Sequence, residues 1–311
     1  MHIRIISPSG HIASELIDAA VRRLERWGFT VTEGLHARIG YGRFAGTKEE
    51  RLSDLAEALG LHAGNVSQPI AAPDVILCSR GGYGLQQIID CAAELIQSSP
   101  HLPLLIGFSD ITCLHSLYAF TDTPSLHGLM CHIGDWEEGC PSVQQWLHLL
   151  HGGNADYHFP RHPMQREGEA EGVLIGGNLS VLYGLQGTPW SLLRIIQSNK
   201  QKGKKNILFL EDVCERHYHI DRMMQNLRLS GVLGMIDGLV TGGFTDIEDD
   251  PLMPCSVAET IRQAADGYDY PILTGFPAGH GAVNLPFFLN RQTTLTVSEQ
   301  GSLFFQQGYD A

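Results

Sequence analysis

The sequence predicts an α/β protein built from two domains, and three observations support this. The first half alternates short apolar strands with amphipathic helices, a pattern typical of a parallel sheet covered by helices. The interval from His151 to Glu171 is rich in Gly, Pro, His and charged residues and has no sustained periodicity. Strand and helix patterns then resume. We therefore predict an N-terminal domain over residues 1–152, a linker over 153–169 and a C-terminal domain over 170–311.

The N-terminal domain opens with a predicted β-α-β unit. Its helix has apolar residues at helical spacing from Ile12 to Leu24 and ends at Gly28. Thr47 and Glu50 have the spacing of a capping box, which predicts that a second helix begins there. The predicted strands of this domain are Ile3 to Ile6, Phe29 to Val31, Val75 to Cys78 and Leu104 to Phe108.

The C-terminal domain again mixes strands with helices. One helix is predicted from the spacing of Ile220, Met223, Met224 and Leu227, and Gly231 ends it. The predicted strands are Val173 to Ile175, Ile207 to Leu210, Leu239 to Thr241 and Ile272 to Thr274.

Composition limits where the protein acts and what it binds. The 311 residues carry a net charge of -13, which disfavours a nucleic-acid partner. Seven cysteines are scattered and never spaced as C-x-x-C, so we expect reduced thiols and neither a disulfide framework nor a zinc site. The sequence shows no export signal and no apolar run of about 18 residues. A cytoplasmic protein with no membrane partner is the expectation.

Ser109 follows a predicted strand directly, in the segment Gly107-Phe108-Ser109-Asp110, and precedes a helical pattern. A strand-to-helix turn would expose the serine hydroxyl and direct backbone N–H groups at developing negative charge. The second glycine of a G-x-S-x-G motif is absent, because Ile111 stands in its place. The alternative is that Ser109 or Asp110 serves only as a helix N-cap.

A glycine loop, residues 80–84, follows another predicted strand. The adjacent glycines Gly81 and Gly82 permit backbone conformations that turn N–H groups inward, so the loop could supply one oxyanion donor while the Asp110 N–H supplies the other. The loop lacks the lysine of a P-loop and is not G-x-G-x-x-G, so nucleotide binding is weakly supported. A plain tight turn is the alternative.

Glu211 and His280 supply an acid and a base. Glu211 and Asp212 end the predicted strand Ile207 to Leu210, at the rim where open α/β sheets bind ligands. His280 lies between two glycines that would let its imidazole reach into a cleft. With Ser109, the chain order serine, acid, histidine is that of α/β-hydrolases and predicts a serine hydrolase. Glu211 could instead be a capping or solvated carboxylate, and His280 a surface residue.

Other histidines lie in pairs, and no cofactor or metal is predicted for them. The pairs are His148 with His151 and His217 with His219, and no third ligand with recognisable spacing accompanies either. We expect these side chains to be solvated.

Taken together, these segments resemble the LD-carboxypeptidase family of serine peptidases, which also includes the microcin C self-immunity proteins. The matching stretches run through nearly the whole chain in order. They are ISPSG at the start, RFAGTKEERLSDL, SRGGYG, GFSDIT, GGNLSVL, GTPW, LFLEDVCE and GHGAVNLP. Two departures occur, since His217 precedes Tyr218 where the family often has proline, and Phe287-Phe288 follows Pro286 in place of leucine-glycine.

The resemblance implies a catalytic triad of Ser109, Glu211 and His280, with an oxyanion hole formed by backbone N–H groups of Gly81 or Gly82 and of Asp110. It implies an N-terminal Rossmann-like domain, a C-terminal mixed α/β or barrel-like domain, a site at their junction, and a homodimer. The expected activity is removal of the terminal D-alanine from murein tetrapeptides during peptidoglycan recycling, without metal or cofactor. The expected substrate-binding residues are Arg80, Tyr83 and Asn178.

Arg80 is a candidate for the substrate carboxylate because a guanidinium offers two parallel donors, and the alternative is an ion pair within its own loop. Whether Asp212 or Glu215 assists Glu211 stays open. Three other activities also stay open. One is cleavage of peptidyl or aminoacyl nucleotide conjugates, as in the immunity branch. Another is non-catalytic muropeptide binding. The third, less favoured, is a cysteine hydrolase using Cys113, which falls a turn into the predicted helix.

Overall fold

A computed structural model describes residues 1–61, 72–134 and 136–309. In these residues the chain folds into two sheets with helices packed around them. The strands are, in chain order, β1 (His2–Ile6), β2 (Thr30–Glu33), β3 (Val75–Cys78), β4 (Leu104–Gly107), β5 (Ser125–His127), β6 (Ala155–Phe159), β7 (Gly168–Asn178), β8 (Asn206–Val213), β9 (Gly238–Thr245), β10 (Ile272–Thr274), β11 (Phe287–Leu289), β12 (Arg291–Ser298) and β13 (Gly301–Gln306).

The helices connect the parallel strands and cover the sheets. They are α1 (Ser14–Arg26), α2 (Lys48–Ala58), α3 (Ile89–Ser98), α4 (Thr112–Tyr118), α5 (Pro141–Leu150), α6 (Leu179–Gly184), α7 (Leu192–Gln201), α8 (His217–Leu229) and α9 (Val257–Ala264). The predicted capping box is confirmed, because Thr47 and Glu50 exchange side-chain and backbone hydrogen bonds at the start of α2. No helix in the described ranges has both the length and the apolar character that crossing a bilayer would require.

The first sheet has the order β11-β5-β4-β3-β1-β2. The five strands from the first half are parallel, as the alternation of strands and helices predicts. The sixth strand, β11, comes from the last part of the chain and pairs antiparallel with β5. The sheet is therefore mixed. Strand β11 reaches the edge of this sheet from a loop in the second half of the chain, and an antiparallel strand needs no crossover helix.

The second sheet has the order β10-β9-β8-β7-β12-β13-β6. Strands β7 to β10 are parallel to one another, and β12, β13 and β6 join beyond β7 as antiparallel strands. The interval predicted to be a linker, 153–169, contains β6 and the start of β7. Strand β6 was not predicted, because its alternating buried and exposed residues lie among Gly, Pro and His residues that are typical of loops.

One buried cluster joins the two sheets. It contains Ile106 and Trp146 from the first half together with Phe209, Phe287 and Phe304 from the second. Phe287 packs edge-on against Phe209, with ring centroids 4.7 Å apart. Because β11 is a strand of the first sheet and Phe209 belongs to β8 of the second, this packing joins the two sheets.

Candidate active site

Ser109 lies in a tight turn between β4 and α4. Its φ of 65° is left-handed, which is uncommon for a residue other than glycine. A Cβ atom at Gly107 would lie 2.8 Å from Ile111, so glycine is needed where the turn leaves the strand. Phe108, not Ser109 or Asp110, holds the N-cap position of the short helical turn that follows. The alternative that these two side chains serve only as caps is therefore wrong.

The glycine loop packs directly against this turn. A Cβ atom at Gly81 would lie 3.0 Å from Ser109 Oγ and 2.7 Å from its Cβ. The Gly81 carbonyl accepts a hydrogen bond from the Gly10 N–H at 3.0 Å. Within the described ranges, the N–H groups of Gly81, Gly82 and Asp110 have no hydrogen-bond acceptor. The loop thus packs Gly81 against the serine turn and has N–H groups without an acceptor among the described residues.

Glu211 and His280 form a buried pair. The Nδ1 atom of His280 and Oε2 of Glu211 are 2.8 Å apart, and the Glu211 side chain is 0% exposed while that of His280 is 20% exposed. Glu211 is not at the end of its strand as predicted but inside β8, where the register with β9 shifts between Leu210 and Asp212. By alternation along the strand, the Glu211 side chain lies on the same face of β8 as that of Phe209, which packs in the cluster that joins the two sheets.

The loop that carries His280 is closed by its own residues. Gly279 has a φ of 114°, and a Cβ atom there would lie 2.6 Å from Glu211 Oε2. The Gly279 N–H donates to Asn284 Oδ1 at 3.0 Å, and the Asn284 N–H donates to Ser142 Oγ at 2.9 Å. Ser142 belongs to α5, so the histidine loop is attached to the first half of the chain.

His280 also lies beside the serine turn. Its ring contacts that of Phe108, the residue before Ser109, with centroids 4.9 Å apart. Ser109 Oγ makes no hydrogen bond to any described residue, so the serine and the imidazole are neighbours that do not yet share one.

The three predicted substrate-binding residues have different surroundings. Arg80 is exposed and donates from Nη1 to the carbonyl of His11 at 2.9 Å, a backbone contact in place of the ion pair considered as the alternative. Tyr83 is also exposed, with its ring 5.9 Å from that of Phe44. Asn178 is buried at the N-cap of α6, and its amide donates to Asp212 at 2.9 Å. A side chain so engaged supports the fold around the site.

Neither acidic neighbour touches the Glu211 and His280 pair by hydrogen bonding. Asp212 accepts from Asn178 and from the Ser180 N–H at 2.8 Å, and Glu215 contacts His219 at 3.0 Å. Burial raises the pKa of Asp212 to about 6, opposed by the Val213 N–H, with Glu211 adding a smaller upward effect.

Two further histidines lie behind the site, and nothing in their sequence context marks them. His115 is buried, with Nε2 2.9 Å from the Gly107 carbonyl and Nδ1 2.7 Å from Ser125 Oγ. His127, at the end of β5, is buried and stacks on Phe287 at 4.8 Å. Burial lowers the pKa of His115 to about 4 and that of His127 well below its ordinary value. Both rings are neutral near pH 7.

Cys113 is a buried residue of α4, and burial raises the pKa of its thiol well above the ordinary value. A thiol held in its protonated form is a poor nucleophile, which argues against the cysteine-hydrolase alternative.

The histidine pairs differ from the prediction at one position. His217 is buried and contacts Thr260 Oγ1 at 2.8 Å, because it begins α8 facing α9. His148 and His151 are exposed, as predicted. In the part of the chain that the structure describes, no three His, Cys, Asp or Glu side chains are grouped as metal ligands.

Comparisons with known proteins agree with this architecture. Residues 3–128 match the family described as the LD-carboxypeptidase N-terminal domain, and residues 171–295 match the LD-carboxypeptidase C-terminal domain. The murein tetrapeptide carboxypeptidase of Pseudomonas aeruginosa is 30% identical over 91% of this chain and 89% of its own.

Two more distant similarities are informative. The crystal structure of a muramoyltetrapeptide carboxypeptidase from Oxalobacter formigenes superposes with a TM-score of 0.82, covering 100% of both chains at 22% identity. The microcin C7 self-immunity protein MccF of Escherichia coli is 29% identical over 118 residues, which are 36% of this chain and 30% of that protein.

Proposed function

The chain belongs to the LD-carboxypeptidase family, and from this premise we propose that it is a serine peptidase that removes the terminal D-alanine from murein tetrapeptides. The substrate would be L-Ala-γ-D-Glu-meso-diaminopimelate-D-Ala, released during peptidoglycan recycling. The observation that carries the proposal is the buried Glu211 and His280 pair, whose imidazole packs against the turn that presents Ser109.

Proton transfer would begin at His280. With Nδ1–H donating to Glu211 Oε2, Nε2 is left as an acceptor that can take the Ser109 proton as Oγ attacks the substrate carbonyl. Glu211 would hold this tautomer and stabilise the imidazolium that forms. His280 would then give the proton to the departing D-alanine amine, and water would hydrolyse the acyl-enzyme.

The tetrahedral intermediate needs donors for its oxyanion. Because the Gly81 carbonyl points to Gly10 and a trans peptide directs its N–H the opposite way, the Gly82 N–H points away from Gly10. We assign this group and the Asp110 N–H as the two donors, with Gly81 packed beside Ser109 Oγ.

Recognition of the free carboxylate would fall to Arg80. Its guanidinium has five N–H donors, and the contact with His11 uses one nitrogen. Tyr83, exposed beside it, would contact the peptide. We assign Asn178 an indirect part, through Asp212 and the start of α6.

Cleavage of nucleotide conjugates is a second candidate because the chain has sequence similarity to MccF. The murein relative is favoured, since it aligns over 91% of the chain and MccF over 36%. Cytoplasmic location and a homodimer are further proposals from the family resemblance, and light scattering of the purified protein would measure the second.

The test is mass spectrometry of wild type and Ser109→Ala incubated with the tetrapeptide in the presence of a chelator. We expect wild type alone to release one D-alanine. An intact tetrapeptide with folded wild type would overturn the murein assignment and direct the assay to peptidyl or aminoacyl nucleotides. If wild type cleaves neither the tetrapeptide nor the nucleotide conjugates, and a serine-reactive phosphonate does not label it, a non-catalytic muropeptide-binding role would replace the proposed enzyme activity.

A further inference from the structure

Arg51 is an arginine with 1% of its surface exposed, on the inner face of α2. A guanidinium is rarely buried, because its charge loses hydration unless hydrogen bonds and an opposite charge replace it. The reaction described above does not use Arg51. Its contacts therefore indicate which parts of the structure the buried guanidinium holds in place.

The guanidinium joins two loops of the site. Nη1 donates to the Pro8 carbonyl at 3.1 Å and to the Gly84 carbonyl at 3.0 Å. Nη2 donates to Gln87 at 3.3 Å, and the group lies over the ring of Phe44, 5.3 Å from its centroid. A Cβ atom at Gly84 would lie 2.8 Å from Nη1, so the last glycine of the loop makes room for Arg51.

Asp110 holds the same loop from the other side. Its Oδ2 atom accepts hydrogen bonds from the Leu85 N–H at 3.0 Å and from Ser9 Oγ. Gly84 and Leu85 are consecutive, so the end of the glycine loop is tied to Arg51 by a carbonyl and to Asp110 by an N–H. Burial raises the pKa of Asp110, and the Ser9 and Leu85 hydrogen bonds and the Arg51 charge oppose that rise.

We propose that the buried side chains of Arg51, Asp110 and Ser9 form a clamp that positions the oxyanion-hole donors of the glycine loop against Ser109. Arg51 and Ser9 are positioning residues, since they act through the loop and not on the substrate. Asp110 has two parts, because its side chain holds the loop while its backbone N–H is one of the donors. This inference rests on the proposed function, and it identifies the side chains that keep the oxyanion-hole donors in position.

The clamp should act on the transition state more than on substrate binding. Oxyanion donors are aimed at charge that develops only during the reaction, so a displaced loop lowers kcat and leaves KM nearly unchanged. A displacement of about 1 Å costs on the order of 100-fold in rate.

The experiment compares Arg51→Met and Arg51→Lys with Arg166→Met. Arg166 is a matched control because it also donates to backbone carbonyls, of Ala265 at 2.8 Å and Tyr270 at 3.4 Å, and lies over the Tyr270 ring near the start of β10. Two rates are measured well below each variant's melting temperature: turnover of the tetrapeptide, and labelling of Ser109 by a fluorophosphonate.

We expect Arg51→Met to lower both kcat and the labelling rate by about 10- to 100-fold with KM changed less than about threefold. Arg51→Lys should be intermediate, and Arg166→Met should lower stability alone. Ser9→Ala, which removes one hydrogen bond, should show a smaller loss in the same direction.

A folded Arg51→Met protein with both rates within about twofold of wild type would overturn the clamp. So would equal losses in Arg51→Met and Arg166→Met, which would indicate a general effect of stability. If wild type labels with fluorophosphonate but leaves the tetrapeptide intact, the murein assignment fails and the labelling rates still decide the clamp. If wild type does neither, both proposals fail.

Discussion

Ser109 adopts a backbone conformation that costs about 1–3 kcal/mol for a residue other than glycine. The surrounding contacts maintain this conformation. On one side, the absence of a side chain at Gly107 leaves room for Ile111, and on the other side Gly81 packs against the serine. The sequence predicted this turn although the second glycine of the usual motif is missing. Ile111 replaces that glycine because the position is buried core, 0% exposed, under the helical turn.

Gly81 provides a test at the scale of one residue. In Gly81→Ala the new methyl group would meet Ser109 Oγ at 3.0 Å, so the loop or the serine must move. Losing one oxyanion donor costs about 100- to 1,000-fold in kcat, and we expect a loss of that order. Steady-state kinetics measures it. Gly267→Ala is the control, because nothing lies within 4 Å of its Cβ position, and equal activities in the two variants would contradict the assignment.

Candidate site residues could be predicted from the sequence at positions where the proposed chemistry needs one particular type of residue. Ser109, Glu211 and His280 were predicted from their places after strands, and the structure brings Glu211 and His280 into contact beside the serine turn. Arg51 could not be predicted. In sequence it is one charge in the helical segment Lys-Glu-Glu-Arg, and only the packing of α2 against the loops buries it.

At the scale of elements, α4 follows the serine turn directly and is held by the second half of the chain. The Asn178 N–H donates to Thr112 Oγ1 at 3.0 Å, which joins the end of β7 to the first residue of α4. Gly177 precedes this contact with a φ of 142°. The close approach of β7 and α4 therefore requires glycine, and it links the two sheets at the site.

Gly177→Ala tests this junction. Its methyl group would lie 2.5 Å from Thr112 Oγ1, so we expect both a lower melting temperature and a lower kcat. Gly203→Ala is the matched control, because Gly203 also has a positive φ, of 72°, but nothing within 4 Å of its Cβ position. The control should lose about 1–2 kcal/mol from backbone strain alone. Equal losses of stability with unchanged turnover in both variants would contradict the linkage.

Elements were predicted well where their periodicity is local. Strands β1, β3 and β10 and the start of helix α2 lie within one or two residues of the prediction. Strands β5, β6, β11, β12 and β13 were not predicted. Strands β5 and β11 have three residues each, and β6 lies at a sheet edge, so their local patterns are weak. Strands β12 and β13 form a hairpin with alternating burial, and the prediction missed them although their pattern is local.

At the scale of the whole molecule, buried titratable groups make stability depend on pH. The pKa of His115 is lowered from 6.5 to about 4 by burial. Between these values the unfolded state binds more protons than the folded state, so the free energy of unfolding contributed by His115 rises with pH. Asp212, with its pKa raised from 3.8 to about 6, contributes in the opposite direction over a similar range.

His115→Gln separates the two contributions, because Asp212 is present in both proteins and cancels in their difference. We expect the difference in free energy of unfolding between wild type and variant to grow by about 3 kcal/mol between pH 4 and pH 7. Urea denaturation at several pH values measures it. A difference that does not change with pH would show that His115 does not titrate as its burial indicates.

The sequence by itself determined the α/β class, the two-part organisation and the segments that carry the serine, the acid and the histidine. These depend on local periodicity and on groups that follow strands, where neighbours in the chain decide the structure. Tertiary structure alone decided that β11 returns to the first sheet, that Glu211 contacts His280, and that Arg51 and Asp110 hold the glycine loop. Contacts between residues distant in the chain decide these features, because burial and close approach arise only when the sheets pack together.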